Sequence, residues 1–404
     1  MTTALPTHTI VIPPLSSASD VRSGEHFARG NTDYEYKLED YFEVELRADA
    51  PGSCREWETQ MREAWDETVE ITKLAAAGTE MLLESKPAES REEAYDEWVR
   101  VEQIFRALFG KYDAKVEGKT LASIVLNRLQ ELLAIHLQAR KRVYLRCGAD
   151  YVRYIASDST DPRDIGTSAE GKYTIAKPSQ AHVACPNGAW VADGIPQEDS
   201  VLECEPHKVS SGNKPQSRWC LPMFNAQTTR PPHTALVMFC PRILGDDKWS
   251  LNSVEPTGRS AAAFNFMATG WLHEIGHYGL GWIDEPAVDD KGKKLPLLNG
   301  HNENTYGWCL ATNLAQHDPT RAIKSPENFS HFATAVYFGN WYWGGGIAKE
   351  KPEKDDFDPI KAYQQHVQKA VEWPSSGSDD ASSDWPDSPS HGSPAVSSGD
   401  ELYE

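Results

Sequence analysis

The sequence lacks any run of about 20 apolar residues, the length a membrane-spanning helix requires, so no such helix is expected. Positive charge is in short supply, with 40 Lys and Arg against 60 Asp and Glu, a formal balance of −20. Affinity for nucleic acid rests largely on Lys and Arg neutralising phosphates, and anionic lipid surfaces attract basic segments. A chain this acidic is read as a binder of neither nucleic acid nor membrane. The N-terminal stretch has no basic cluster, and its apolar patch Ile10-Val11-Ile12 is too short for a signal peptide. Taken literally, this places the protein in the cytoplasm. The seven cysteines (54, 147, 185, 204, 220, 240 and 309) include no Cys-x-x-Cys pair, which argues against a cysteine-based zinc site. In an oxidising compartment their scatter suggests three disulfides and one free thiol, and in a reducing one mostly buried thiols. There is no internal repeat.

Against these absences, 404 residues with 39% hydrophobic content and 13 Trp are enough to bury a sizeable core. Residues 1–50 mix Pro, Ser and charge with little periodicity and read as an extended N-terminal arm. From Arg55 to Glu84, the residues Trp57, Met61, Ala64, Ile71 and Leu74 fall on one helical face. In a second helix Ser90 and Glu93 have capping-box spacing, Ala94, Trp98, Val101, Phe105 and Leu108 follow at steps of four and three, and Gly110 stops it. A third runs from about Lys119 to Arg140, and the three are expected to pack as a bundle. Between Arg142 and Cys240 short β-prone pieces, Val143 to Cys147 and Ala235 to Cys240, alternate with loops, suggesting a small irregular sheet. From Ala261 the chain turns helical again. The fold class expected is α+β, with one domain over 51–373. Residues 374–404 carry seven acidic residues and no Lys or Arg among Pro and Ser, and read as a disordered acidic tail.

The chemistry is concentrated in His273-Glu274-Ile275-Gly276-His277, an H-E-x-x-H motif. On a helix, residues four apart project from one face, so both imidazoles can ligate one zinc ion. Glu274 is offset to the side, where a carboxylate can take a proton from water at the metal. Phe264, Met267, Trp271 and Leu272 mark the helix as buried, and buried histidines need partners that a metal supplies. A catalytic zinc takes a third protein ligand. Asp284 follows His277 by seven residues, one position beyond the metzincin spacing, Asp289 and Asp290 read as part of a solvated turn, and His301 and Glu303 remain further downstream. Spacing does not choose among them.

Several segments together resemble a known family. Glu303-Asn304-Thr305-Tyr306-Gly307 matches a D-x-x-Y-G loop with Glu in place of Asp. Ala235 to Pro241 looks like a strand ending in Cys-Pro ahead of the zinc helix, and Ser325 to Ala333 looks like an N-A-D-x-Y-x-Y-F-A segment. The helix closing on Phe105 to Gly110 is similar to one ending in Phe-Gly. In this order, over roughly residues 54–345, the chain resembles the aspzincin metallopeptidases, the fungal deuterolysins and peptidyl-Lys metalloendopeptidases. The resemblance implies a zincin-like metallopeptidase domain holding one catalytic zinc ion. His273 and His277 become ligands, Glu274 the general base, Glu303 the third ligand, and Tyr306 a hydrogen-bond donor to the tetrahedral intermediate. Glu327 stands where the family segment has an Asp and becomes a candidate substrate-binding carboxylate for Lys. Residues Trp282 to Asn299 read as a loop inserted at the cleft edge. The family is typically exported. The function implied is a zinc endopeptidase acting on peptides or proteins. The alternative is a non-catalytic or latent zinc-binding module of the same fold.

Overall fold

The computed structural model describes residues 37–135, 142–155, 188–194, 201–204, 220, 226–229, 234–244, 250–251, 259–261, 266–295, 304–352, 358–362 and 364. The chain opens with a short helix α1 (Leu38–Tyr41) and strand β1 (Glu43–Val44). After a 3-10 turn at Arg55–Trp57 come α2 (Glu58–Leu83) and α3 (Glu92–Phe109). A small hairpin, β2 (Lys115–Val116) and β3 (Lys119–Thr120), leads into α4 (Leu121–Leu133). The bundle faces follow the periodic residues closely. Met61, Ala64 and Ile71 of α2, Trp98, Val101, Phe105 and Leu108 of α3, and Leu121, Val125, Leu129 and Leu132 of α4 are all buried. Helix α3 starts after Arg91 without a side-chain cap, so the Ser90–Glu93 spacing does not set its first turn. Thr120 caps α4 by accepting from the Ser123 N–H.

Strands β4 (Arg142–Cys147), β5 (Val152–Ile155), β6 (Ala189–Ala192), β7 (Val201–Cys204), β8 (Ala226–Thr229) and β9 (Thr234–Phe239) form two sheets. The larger has the order β1-β4-β9-β8, with β1, β4 and β9 parallel and β8 antiparallel to β9. The smaller, β5-β6-β7, is antiparallel. In the larger sheet the period of two separates the faces. Val143, Leu145, Ala235, Val237 and Phe239 join the main core, whereas Tyr144, Leu236 and Met238 pack on the other side with Tyr151 and Ala192. Both faces are covered, which accounts for the continuous apolar run at 235–239.

The remaining helices are α5 (Pro241–Leu244), α6 (Met267–Leu280), α7 (Gly307–His317), α8 (Pro319–Ala322) and α9 (Pro326–Tyr337). Helix α6 lies against α2 and α9. The Thr68 hydroxyl of α2 reaches the Ala268 carbonyl of α6 at 3.2 Å. Asn328, fully buried on α9, donates to the carbonyls of Leu108 at 2.7 Å and Ala311 at 3.0 Å, locking α3 and α7 to α9. The observed organisation is α+β, as the pattern of elements suggested.

The arm assigned to residues 1–50 is not extended throughout. Leu38, Tyr41 and Phe42 are buried, and β1 pairs with β4. The Phe42 ring packs against Trp271 and Tyr278 of α6, at centroid distances of 4.6 and 5.6 Å. The core therefore begins by Leu38, with the Tyr41 ring against Trp65 of α2 and the Phe42 ring against α6. Residues 1–36 and the tail at 374–404 lie outside the described residues. Among the described residues two disulfides occur, Cys54–Cys147 from the start of α2 to the end of β4, and Cys220–Cys240 beside β9. Cys309 is a free thiol.

Candidate metal centre

The H-E-x-x-H segment occupies the last turns of α6, whose first turn is fixed by Thr269 Oγ accepting from the Phe266 N–H at 3.0 Å. Gly281 ends the helix in the left-handed region, with φ of 70°, a conformation that costs glycine little. The Trp282 N–H then closes back on the Gly276 carbonyl at 3.1 Å. The reversal lays the Trp282 indole on Gly276, where a Cβ would meet its ring at 2.6 Å. Two residues later the chain delivers Asp284 to the imidazoles.

Three donor atoms converge. Asp284 Oδ1 is 3.1 Å from His273 Nε2 and 3.4 Å from His277 Nε2. Zinc bonded at about 2.0–2.2 Å in a tetrahedron has neighbouring ligand atoms about 3.3–3.5 Å apart, close to this spacing. The hydrogen bonds behind the rings select the tautomers. His277 Nδ1 is 3.0 Å from the Trp282 carbonyl, which can only accept, so Nδ1 carries a proton. His273 Nδ1 is 3.1 Å from Glu327 Oε2 and likewise donates to that carboxylate. When the rings are neutral, both Nε2 lone pairs and the Asp284 oxygen face one another. Three acceptors aimed at one point call for a proton or a cation between them. The donor set fits zinc on both geometry and chemistry.

The electrostatics agree. Burial would lower the His273 pKa, but the hydrogen bonds to Asp284 and Glu327 overcome it and raise the pKa well above 6.5. Burial opposes ionisation of Asp284 and Glu327 too. Contacts with His273 and His277 nonetheless hold Asp284 far below the usual carboxylate range. His331 and His273 do the same for Glu327. Without a metal, the two flanking carboxylates therefore favour the protonated form of the His273 ring.

Glu274 is buried beside His273 and helps to stabilise its charge. Tyr306 caps the start of α7, with its ring 6.1 Å from that of His273. Its phenol interacts with Asn304 and Asp284, and burial of the hydroxyl followed by the Asp284 charge raises its pKa. The Tyr306 residue is 47% exposed, and the Asp284 side chain at 26% is more open than His273 at 12% or His277 at 10%. Solvent therefore reaches the cluster from the Asp284–Tyr306 side.

Of the residues singled out in the sequence, His273, Glu274, His277, Asp284, Tyr306 and Glu327 come together at this centre. Glu303 and His301 lie outside the described residues. Asp289 turns away, accepting from the backbone N–H groups of Lys291 and Lys293. Glu327 does not stand at the open side. Its Oε1 accepts from the Gly307 N–H at 2.7 Å, and His331 Nε2 lies 3.2 Å from the same oxygen. The sequence signal pointing to Asp284 is a carboxylate three residues beyond Gly281, the glycine that ends the H-E-x-x-H helix. No protein-family model matches the sequence, and no curated protein matches it significantly.

Proposed function

We propose that the chain is a zinc-dependent endopeptidase with a zincin-like metallopeptidase fold, holding one zinc ion through His273, His277 and Asp284. The observation that carries this reading is the convergence of three acceptor atoms, Asp284 Oδ1 lying 3.1 and 3.4 Å from the two Nε2 atoms, with both rings held from behind in the ligating tautomer. Zinc there supplies Lewis acidity, polarising a carbonyl and lowering the pKa of water from about 15.7 to about 7. Glu274 is the general base, placed next to His273 to take a proton from the attacking water and pass it to the leaving amine. Tyr306, whose phenol is protonated at neutral pH, donates its hydrogen bond to the developing oxyanion.

The aspzincin resemblance gains support from how the loop closes. The Thr305 N–H donates to the Glu285 carbonyl at 2.7 Å, and Pro286 and Asn304 form a bridge beside it. Across this junction the chain reads Asp284-Glu285, then Thr305-Tyr306-Gly307. That is a D-x-x-Y-G loop interrupted after its second residue by an excursion over 286–304. This reading gives the third-ligand place to Asp284, with Glu303 in the excursion. The disulfides suit an oxidising compartment, in keeping with an exported peptidase.

A purely structural zinc site has no use for Glu274, and its burial beside His273 favours catalysis over a scaffold. The test is Glu274→Gln. Zinc content should remain at one per chain while peptide hydrolysis falls at least 100-fold, the lower range of general-base contributions. Undiminished hydrolysis in this variant would refute the assigned mechanism.

A further inference from the structure

Glu327 belongs to α9, 54 residues beyond His273 in the sequence, yet its two oxygens meet two different parts of the centre. Oε2 accepts from His273 Nδ1 at 3.1 Å, and Oε1 accepts from the Gly307 N–H at 2.7 Å. Gly307 follows Tyr306 and opens α7 with φ of 79°, so its amide direction is set by a left-handed turn that a side chain would strain. The Ser325 hydroxyl caps α9 by accepting from the Asn328 N–H, which fixes the turn carrying Glu327. His331, one turn further along α9, faces Oε1 at 3.2 Å.

We infer that Glu327 is a positioning residue, whose single carboxylate holds His273 in the ligating tautomer and ties it to the segment bearing Tyr306. The inference rests on the metal-centre reading above and extends it. An ionised carboxylate offers only acceptors, so the facing ring nitrogen must be protonated and Nε2 is left to ligate. The same geometry removes Glu327 from direct recognition of substrate. Both its oxygens are already engaged, so a preference for Lys would have to come from other residues.

Glutamine is nearly isosteric but cannot serve both donors. If its oxygen accepts from Gly307, its NH2 group faces Nδ1 and drives the proton to Nε2, the wrong nitrogen for ligation. If the oxygen faces His273, the NH2 group opposes the Gly307 N–H. The experiment compares wild type, Glu327→Gln and Ser330→Ala in the full chain. Zinc affinity is measured by chelator competition, the visible spectrum with cobalt substituted for zinc, and cleavage sites by mass spectrometry. Glu327→Gln should bind zinc about 10- to 100-fold more weakly, as loss of an orienting partner typically does, with an altered cobalt spectrum. At saturating zinc its kcat should fall more than its KM rises, and its cleavage-site preference should not change. Ser330→Ala perturbs the same helix by removing a hydroxyl that donates to the Pro326 carbonyl at 3.0 Å, leaves the contacts of the Glu327 carboxylate in place, and should keep zinc affinity within about threefold of wild type. Should Glu327→Gln fail to fold, Glu327→Asp is read instead. It keeps the charge but cannot span both donors, so a smaller loss of affinity is expected. Equal zinc affinity in wild type and Glu327→Gln, equal losses in both helix variants, or a lost Lys preference with zinc binding intact would each overturn the inference. A wild-type protein that binds no zinc would instead overturn the metal-centre reading, and this inference with it.

Discussion

Gly276→Ala tests how the third donor is positioned. The substitution places a methyl group 2.6 Å from Trp282 Cε3, where ordinary contact begins at 3.4 Å, so the indole must retreat by about 0.8 Å. Retreat is obstructed, because Trp282 is buried and its ring lies 4.4 Å from that of Phe329. Replacing glycine by alanine inside a helix gains about 0.8–1.0 kcal/mol of propensity. Overpacking a core position costs about 1–3 kcal/mol. The net expectation is a loss of about 1 kcal/mol in a denaturant titration. The larger effect falls on the metal, since the Trp282 carbonyl that orients His277 moves with the ring, and Asp284 follows two residues later. Zinc affinity should weaken about 10- to 100-fold. Gly270→Ala in the same helix is the comparison. Its Cβ would meet Ile243 Cδ1 at 3.3 Å and Phe239 at 3.7 Å, close to ordinary contact. It should be neutral or stabilising by up to about 1 kcal/mol, with unchanged zinc affinity. If Gly276→Ala behaves like Gly270→Ala on both readouts, the reasoning about the Trp282 seat is wrong.

Asp284→Asn should reduce zinc binding by more than about 100-fold, an uncharged amide replacing the anionic ligand, while Glu303→Gln should leave binding intact; equilibrium dialysis distinguishes the two. Phe42→Ala should destabilise the protein by about 3–5 kcal/mol, the usual cost of emptying a buried phenylalanine site, measured by urea unfolding. Zinc binding near pH 7 should release about one proton per ion, from His273, seen by calorimetry in buffers of different ionisation enthalpy. In the metal-free protein the raised His273 pKa gives stability that is complete below 6.5 and lost as pH rises through its folded value. The lowered carboxylate pKa values give stability present above their ordinary 3.8 and 4.5, lost as pH falls toward the folded values. Metal-free unfolding followed against pH should therefore show stability declining at both ends.

The bundle helices were legible because their apolar residues recur at helical spacing and tertiary packing agrees with that pattern. The H-E-x-x-H helix was legible for a different reason. Two histidines four apart share one face, and beside an apolar flank both rings need a partner that a single metal ion provides. The N-terminal boundary was not legible. Leu38, Tyr41 and Phe42 are too few to show a period, and only the hollow behind Trp271 accounts for their burial. Nor could spacing choose Asp284. Its placement depends on the turn at Gly281, the seat of Trp282 on Gly276 and the closure at Glu285–Thr305, all of them features of the folded chain. Glu327 illustrates the same limit. Its position in the sequence suggested a pocket for substrate, whereas α9 packs so that its carboxylate meets His273 and Gly307.

The central claim is that His273, His277 and Asp284 hold a zinc ion that drives peptide hydrolysis. The measurement that tests it most directly is digestion of a mixed-peptide library, read by mass spectrometry, before chelation, after chelation and after zinc is restored. Cuts that vanish with the chelator and return with zinc are the predicted result. Folded, zinc-loaded protein that makes no cuts, or cuts that survive removal of the metal, would contradict it.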